Sequence, residues 1–313
     1  MTAYGVDIGG TSIKLGRFHN QRDLERKWSI DTRLEQNGDL IVPDIAKTIQ
    51  EDIKEAGIDP MTIKGIGVGI PGPILPDGRT NGCINLGWGI KDVRKELSAL
   101  LYGCPVYVGN DANVAALGEN WKGAGRNAKT MIMVTLGTGV GGGIIVNDQI
   151  ITGAHGAGGE IGHIHLNDQE EKECACGNKG CLEQYASAPG ITKYAKSLLE
   201  TEETDSVLRG KEIDAKAILD AAKEKDVLAC QVVDWMGEKL GKALSFIAVT
   251  LDPDVFVIGG GVSAAGTIVL DAIAKYYQMY AFHSNKQTPF QLATLGNDAG
   301  IVGAVHLLES AHE

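Results

Sequence analysis

A chain of 313 residues is long enough for two domains around a cleft, and 43% hydrophobic with 5% aromatic residues is typical of an α/β protein. The net charge of −11, from 40 acidic and 29 basic residues without a basic run, argues against a nucleic-acid partner and favours solubility as the role of the charge. No apolar run is long enough to span a bilayer and no signal peptide is visible, so we expect a cytoplasmic protein without a membrane partner.

The N-terminal stretch predicts a strand, a tight glycine turn and a second strand. The first strand, residues 4–8, runs through Gly9 and Gly10 into the second, which makes a hairpin rather than a strand-to-helix junction. Both glycines can expose their amides to a phosphate, Asp7 can hold Mg²⁺ through water, and Lys14 can reach a phosphate. Taken alone, the stretch is explained equally well as a plain Gly-Gly turn beside an aspartate.

Two loops that follow are candidates for the wall of a ligand site. Residues 39–56 have helical periodicity, and the strand predicted over 63–70 ends at the rigid turn Pro71–Pro73. Ligands bind at such strand ends in open α/β sheets. Asn85 and Trp88, in the next loop, can line a polar pocket, although Trp88 could equally cap the core.

An aspartate stands at the next junction between a strand and a helix. A helix over 93–101 and a strand over 105–108 lead to Asn110 and Asp111, which precede a helix predicted over 114–121. A carboxylate at such a junction is held in place, which suits a catalytic group. Aspartate is also an ordinary helix N-cap, so this residue alone proves little.

A second glycine run excludes one class of enzyme. The strand over 131–136 ends in a run whose Gly137, Gly139 and Gly142 match the dinucleotide fingerprint G-x-G-x-x-G. That fingerprint needs a helix after the glycines, whereas 144–146 predict another strand, so we reject a dinucleotide-dependent dehydrogenase. Two glycine hairpins suggest a duplicated fold with a phosphate clamp from each half.

One imidazole and three thiols come together in the middle of the chain, as expected for a closed tetrahedral zinc site. The predicted ligands of a structural Zn²⁺ are His163, Cys174, Cys176 and Cys181. A disulfide is disfavoured because cysteines one residue apart bridge poorly and nothing marks the chain as secreted. Free thiols, or a catalytic cysteine with His163 as its base, are the alternatives. Glu160 and Glu183 flank the cluster and are positioned to face a ligand. The remaining cysteines are predicted to be buried free thiols: Cys83, Cys104 and Cys230.

The remainder of the chain alternates helices and strands, which predicts an α/β sheet architecture. The predicted helices cover residues 191–199, 215–222, 227–250, 268–280 and 301–308, and the predicted strands cover 255–258 and 290–295. Gly259–Gly261 lead into the helix over 268–280, and residues 200–212 form a polar loop without evident chemistry.

Together these motifs resemble the ROK sugar kinases (repressor, open reading frame, kinase), and most of all the ATP-dependent bacterial glucokinases among them. The motifs that carry the resemblance are Asp7-x-Gly9-Gly10-Thr11-x-x-Lys14, the Gly-Ile-Pro-Gly-Pro turn ending at Pro73, Asn85-Leu-Gly-Trp88, Asn110-Asp-Ala-Asn113, Leu136-Gly-Thr-Gly-Val-Gly-Gly-Gly143, Glu160-Ile-Gly-His163, Cys174-x-Cys176-Gly-x-x-Gly-Cys181-Leu-Glu183 and Ile258-Gly-Gly-Gly-Val-Ser263. Each motif is weak by itself, but the set in this order is specific.

The resemblance implies an α/β, actin-like ATPase fold of the hexokinase type, with two domains that close over a sugar and ATP cleft. The small N-terminal domain would hold residues 1–111 and about 300–313, and the large domain would hold 112–299 with the zinc loop. The implied activity is ATP-dependent phosphorylation of a hexose with Mg²⁺ as cofactor. Glucose is the first candidate, and N-acetylmannosamine and fructose are the alternatives. A homodimer is expected from the resemblance alone.

The resemblance also assigns residues by their position in the motifs. Asp111 would be the base that takes the proton from the sugar hydroxyl. The sugar ligands would be Asn85, Asn110, Asp111, Glu160, His163 and Glu183, with His163 also binding zinc. The ATP phosphates would contact Asp7, Gly9, Gly10, Thr11, Lys14, Gly137, Thr138 and Gly139, and the nucleotide pocket would include Gly259, Gly260 and Gly261. A sugar-sensing repressor of this family is not expected, because the hairpin begins at Tyr4 without room for a DNA-binding winged helix and the charge is acidic.

Overall fold

The computed structural model describes residues 1–310, which form two five-stranded mixed sheets and the helices packed on them. The strands of the first sheet are β1 (Thr2–Ile8), β2 (Ser12–His19), β3 (Asp23–Asp31), β4 (Ile63–Ile70) and β5 (Val106–Asn110). Their order is β3-β2-β1-β4-β5, with β1–β2 and β2–β3 antiparallel and the other pairs parallel. Residues 311–313, which the predicted small domain includes, lie outside the described residues.

The second sheet repeats the topology of the first. Its strands are β6 (Thr130–Leu136), β7 (Val140–Val146), β8 (Gln149–Ile150), β9 (Val255–Gly259) and β10 (Phe290–Leu292). The order β8-β7-β6-β9-β10 has the same antiparallel and parallel pairs as β3-β2-β1-β4-β5. Both predicted glycine hairpins are therefore present, each as the first hairpin of its sheet, and the predicted duplication is confirmed at the level of topology.

Nine helices accompany the two sheets within the described residues. They are α1 (Ile41–Ala56), α2 (Val93–Leu100), α3 (Asp111–Lys122), α4 (Glu183–Ala186), α5 (Ala188–Thr201), α6 (Ala215–Lys223), α7 (Val227–Leu251), α8 (Thr267–Tyr280) and α9 (Ala299–Ser310). None of them combines the length and apolar character that crossing a bilayer requires. A short 3₁₀ turn, Gly261–Ala265, separates β9 from α8.

Each sheet has its own hydrophobic core. On the first sheet, α1 buries a stripe of apolar side chains at helical spacing against β1, β2 and β4. On the second, α5 to α8 cover one face of β6 and β9. The helices α3 and α9 pack on each other, and α9 also lies on β1 and β4. Gly303 and Gly67 permit these close approaches, because a Cβ atom would overlap the carbonyl oxygen of Val114 or Ala304, respectively.

Several predicted boundaries need correction. The helix that follows Asn110 begins at Asp111 rather than Val114, and its N-cap is Asn110, whose Oδ1 accepts from the amide of Asn113 at 3.1 Å. The interpretation of Asp111 as a capping residue was therefore wrong. The last strand ends at Leu292 instead of 295, because the amides of Thr294 and Leu295 donate to the carboxylate of Glu119 instead of to a strand.

Two further strands differ from expectation. The polar strand β3 was not predicted, since most of its side chains are exposed and carry no apolar alternation. The glycines that follow Val140 belong to β7 and not to a turn, because α3 packs against that strand so closely that a Cβ atom at Gly143 would overlap Ala116. The second turn therefore contains only Gly137, Thr138 and Gly139.

The cysteine and tryptophan alternatives are also resolved. Cys83 and Cys104 are buried free thiols as predicted, whereas Cys230 is only half-buried. Trp88 is 5% exposed and its indole N–H donates to the carbonyl of Gly38 at 3.1 Å, so Trp88 belongs to the core.

Candidate active site and metal centre

Two cavities meet at Asp111. The first, about 670 Å³ in volume, is called the carboxylate-lined cavity here because three acidic side chains reach it. Its wall includes all six predicted sugar ligands, Asn85, Asn110, Asp111, Glu160, His163 and Glu183. The second, about 680 Å³, is called the glycine-lined cavity, and its wall includes Asp7, Lys14, Asp111, Gly259, Gly260 and Gly261. A group bound in one cavity can thus reach a group bound in the other beside the Asp111 carboxylate.

Asp111 has the environment of a general base. It is the first residue of α3, directly after β5, and its Oδ1 accepts from the amide of Ala112 at 2.8 Å. The pKa of Asp111 is raised from 3.8 to about 6, mainly because the carboxyl is buried and in part by the negative charges of Asp7 and Glu160, while the hydrogen bond from the amide of Ala112 lowers it. A carboxylate with this pKa is mostly ionised at neutral pH and is a stronger base than an exposed aspartate.

Asp7 lies across the glycine-lined cavity at the end of β1. It faces Lys14 across the hairpin, with Lys14 Nζ 3.8 Å from Asp7 Oδ2. Burial raises the pKa of Asp7, and the positive charge of Lys14 opposes that shift. Carboxylates that share a cavity, as Asp7 and Asp111 do, offer the oxygen ligands that Mg²⁺ prefers, directly or through water.

The sequence did not reveal Gly300 as part of this site. Gly300 is in the first turn of α9 and lines the glycine-lined cavity beside Asp7. A Cβ atom at Gly300 would lie 2.5 Å from the Cγ atom of Asp7, so any larger residue here requires the Asp7 side chain to move. The available sequence signal was a pair of glycines, Gly300 and Gly303, in the terminal helix.

The first glycine turn is partly occupied by its own hydrogen bonds. The amide of Gly9 donates to the carbonyl of Ser12 at 3.0 Å, and Thr32 Oγ1 donates to the carbonyl of Gly9 at 2.7 Å. Gly10 and Thr11 are exposed at the tip of the turn. The role of these residues as phosphate ligands stays a prediction, with the amides at the tip better placed for it than that of Gly9.

The second glycine turn, Gly137–Gly139, lies where the carboxylate-lined cavity meets a third cavity. Gly137, Thr138 and Gly139 line the carboxylate-lined cavity, and the first two also line a third cavity of about 390 Å³. This third cavity, called the apolar cavity here, is walled mainly by small and aliphatic side chains, among them Leu219 and Val262. Lys216, Asp220 and Lys223 also line it, so its wall offers apolar contacts together with charged groups.

The four predicted metal ligands converge. One ligand atom from each of His163, Cys174, Cys176 and Cys181 lies within 4.8 Å of all the others. The Sγ atoms of Cys176 and Cys181 are 3.7 Å apart, and Cys174 Sγ is 3.8 Å from His163 Nδ1. Tetrahedral zinc with Zn–S bonds of about 2.3 Å requires sulfur atoms about 3.8 Å apart. The donor set and its spacing therefore fit zinc, and all six cysteines are free of disulfides.

His163 connects the metal centre to the carboxylate-lined cavity. Its Nδ1 faces the thiols, whereas its Nε2 lies 3.9 Å from Glu160 Oε2 on the cavity wall. Cys176, an exposed member of the cluster, lines the same cavity. A metal at this position would fix the His163 ring with one nitrogen and leave the other toward a bound ligand.

Comparison with known proteins identifies the family. Residues 3–311 match the sequence model of the ROK family. The chain belongs to the ROK family. It is 41% identical to a glucokinase of Halalkalibacterium halodurans, over 97% of this chain and 94% of that protein. It is 29% identical to a xylose repressor of Caldicellulosiruptor bescii, over 98% of this chain and 77% of that protein.

A solved structure gives the same result for the fold. The crystal structure of a ROK family glucokinase from Streptomyces griseus, in complex with glucose and AMPPNP, superposes with a TM-score of 0.81 at 33% identity, over 99% of this chain and 100% of that one. This similarity confirms the predicted α/β, actin-like fold of the hexokinase type.

Proposed function

We propose that this ROK protein transfers the γ-phosphoryl group of ATP to a hexose, with glucose as its preferred acceptor. The observation that carries the proposal is the position of Asp111 where the carboxylate-lined and glycine-lined cavities meet. The glucokinase relative at 41% identity and the ROK glucokinase structure with glucose and AMPPNP support both substrates.

The sugar would bind in the carboxylate-lined cavity. Carboxylates and amides accept and donate hydrogen bonds, so Asn85, Asn110, Glu160 and Glu183 would each recognise hydroxyl groups, with His163 Nε2 beside Glu160. A sugar without a matching hydroxyl would leave such a group buried and unpaired, which is the physical basis of selection. The acceptor hydroxyl would lie against Asp111.

The triphosphate would extend from the glycine-lined cavity, which Asp7 and Lys14 of the first hairpin line, to the second glycine turn, which lines the neighbouring cavities. Lys14 supplies positive charge from the first hairpin, and the short, unshielded backbone of the second turn can approach the phosphates. The adenosine would occupy the apolar cavity, which opens beside Gly261 and the second turn. Asp7 would hold Mg²⁺, which when bound neutralises charge on the phosphates.

In the reaction, the bond between the sugar oxygen and the γ-phosphorus forms as the bond between that phosphorus and the β,γ-bridging oxygen breaks, and ADP leaves. The proton of the attacking hydroxyl passes to the Asp111 carboxylate. Phosphoryl transfer has a loose transition state, so the protein contributes mainly positioning and charge neutralisation. Closure of the cleft around the sugar would exclude water, which otherwise competes as acceptor.

We also propose a structural zinc ion on His163, Cys174, Cys176 and Cys181, supported by the donor set and its spacing.

The division into a small domain of residues 1–111 with about 300–313 and a large domain of 112–299 remains part of the proposal, as do a homodimer and a cytoplasmic location. Sedimentation of the purified protein tests the dimer.

The decisive experiment is ADP release by purified, zinc-loaded protein with ATP and Mg²⁺ across a panel of sugars. The panel contains glucose, mannose, fructose, allose, glucosamine, N-acetylglucosamine and N-acetylmannosamine. We expect strong turnover with glucose and little with the others. Preference for another member would replace glucose but keep the mechanism, whereas no turnover with any sugar would overturn the proposed activity.

A further inference from the structure

The helical segment that follows the last predicted zinc ligand holds the second glycine turn at both ends. The amide of Val140 donates to Oε2 of Glu183 at 3.0 Å. The amide of Ala188 donates to the carbonyl of Gly137 at 2.8 Å. The turn between β6 and β7 is therefore spanned by two hydrogen bonds to one short segment, residues 183–188.

Glu183 packs directly against this turn. A Cβ atom at Gly139 would overlap Oε2 of Glu183, so the carboxylate occupies the space that any other side chain at position 139 would need. The contact is tight as well as hydrogen-bonded, and displacement of Glu183 would free the turn to move.

The same segment is fixed to the predicted metal centre. Glu183 is two residues beyond Cys181, and its Oε1 lies 4.0 Å from Cys174 Sγ. Gln184 accepts from the amide of Cys181 at 3.0 Å and donates to the carbonyl of Lys172 at 2.9 Å. The start of α4 is thus tied to the loop that carries the thiols, and Glu183 lies between that loop and the turn.

We propose that Glu183 is a positioning residue that couples the zinc loop to the phosphate-binding turn. The inference rests on the proposed function, because it takes Gly137–Gly139 as the turn that receives the nucleotide phosphates. Through Glu183, the thiol cluster that orients His163 toward the sugar also fixes the turn on the nucleotide side. Loss of the cluster or of the carboxylate would then weaken nucleotide binding even when no sugar is present.

The test measures by calorimetry how tightly a non-hydrolysable ATP analogue binds in the presence of Mg²⁺. Sugar is left out, so a contact between Glu183 and the sugar cannot contribute to the measured affinity. For Glu183→Ala we expect binding to weaken by about tenfold or more, as for the loss of one hydrogen bond that involves a charged acceptor. Glu183→Gln keeps an oxygen that can accept from Val140, and its affinity should stay within about twofold of wild type.

Glu160→Ala is the matched control. Glu160 is another carboxylate on the same cavity, but its Oε2 faces His163, with His163 Nε2 at 3.9 Å. This variant should raise the KM for the sugar and leave sugar-free nucleotide affinity unchanged. Equal nucleotide affinity for Glu183→Ala and wild type would overturn the proposal.

Hydrogen exchange gives a second readout that does not depend on activity. The amide of Val140 should exchange faster in Glu183→Ala and in chelator-treated protein, while peptides from the first hairpin, residues 2–19, should not change. Should Glu183→Ala fail to fold, Gly139→Ala displaces the carboxylate from the other side and should show the same acceleration. Unchanged exchange at Val140 in the folded variants contradicts the coupling. Absence of nucleotide binding in wild type would instead count against the proposed function.

Discussion

Replacement of Asp111 by asparagine should abolish turnover and at the same time stabilise the fold. Burial raises the pKa of Asp111 from 3.8 to about 6, so the folded protein holds the ionised form at a cost. At 1.36 kcal/mol for each pKa unit, that cost is about 3 kcal/mol well above pH 6. Asparagine has nearly the same shape and no charge, so Asp111→Asn should remove the cost.

The stability gain should depend on pH in a defined direction. Because the folded-state pKa lies above the unfolded value, the penalty is absent below pH 3.8, grows between 3.8 and about 6, and is constant above that range. The expected gain is about 1.6 kcal/mol at pH 5 and about 3 kcal/mol at pH 8. Urea unfolding of wild type and Asp111→Asn at both values measures it. A gain that is equal at the two pH values would refute the assigned pKa.

Activity should follow the same ionisation. With Asp111 as base, kcat/KM for the sugar at saturating MgATP should be half-maximal near pH 6 and about tenfold lower at pH 5. Glu160→Gln removes one of the negative charges that raise this pKa, so it should move the midpoint to lower pH. The Asn variant should still bind ATP. Turnover above a few per cent of wild type, or a rate that is flat down to pH 5, would remove Asp111 from the base role.

Three further outcomes are expected. Metal analysis of protein purified without chelator should find about one zinc per chain and none in Cys181→Ser, and a metal-free, fully folded wild type would contradict the zinc site. Gly300→Ala should lower kcat/KM for MgATP by about tenfold or more, because the added Cβ atom must push the Asp7 side chain aside. If this variant had the kinetics of the wild type, the position of Asp7 would not matter for the reaction. Glu119→Ala should cost about 3 kcal/mol or more in urea unfolding, because the buried Glu119 carboxylate accepts from the part-buried amides of Ala124, Thr294 and Leu295. A change below about 1 kcal/mol would contradict this.

The parts of the site that the sequence predicted depend on local signals. A glycine turn between two apolar strands specifies a hairpin wherever it occurs. The cysteines within residues 174–181 are so close in sequence that the chain between them keeps their thiols near one another, as a metal site requires. Asp111 was found for the same reason, since a strand end next to a helix start is a property of adjacent residues.

The missed features depend on contacts between distant segments. Gly300 matters because α9 returns to the end of β1, where Asp7 lies, nearly the whole chain away. The bond from Val140 to Glu183 joins residues 43 positions apart, and no periodicity records it. β3 was missed for a different reason: as a polar edge strand it obtains its stability from backbone pairing with β2 and carries little apolar pattern.

These contacts divide the site into two groups that are fixed to different sheets. Glu160, His163 and Glu183 belong to the segment after the second sheet's hairpin, and Glu183 binds that hairpin's turn directly. Asp7 and Lys14 belong to the first sheet's hairpin. Asp111 joins them, since it follows a strand of the first sheet and begins a helix that packs on β7. In the proposed reaction, a nucleotide that contacts only one of these two groups would therefore be bound without being correctly placed for transfer to a sugar beside Asp111.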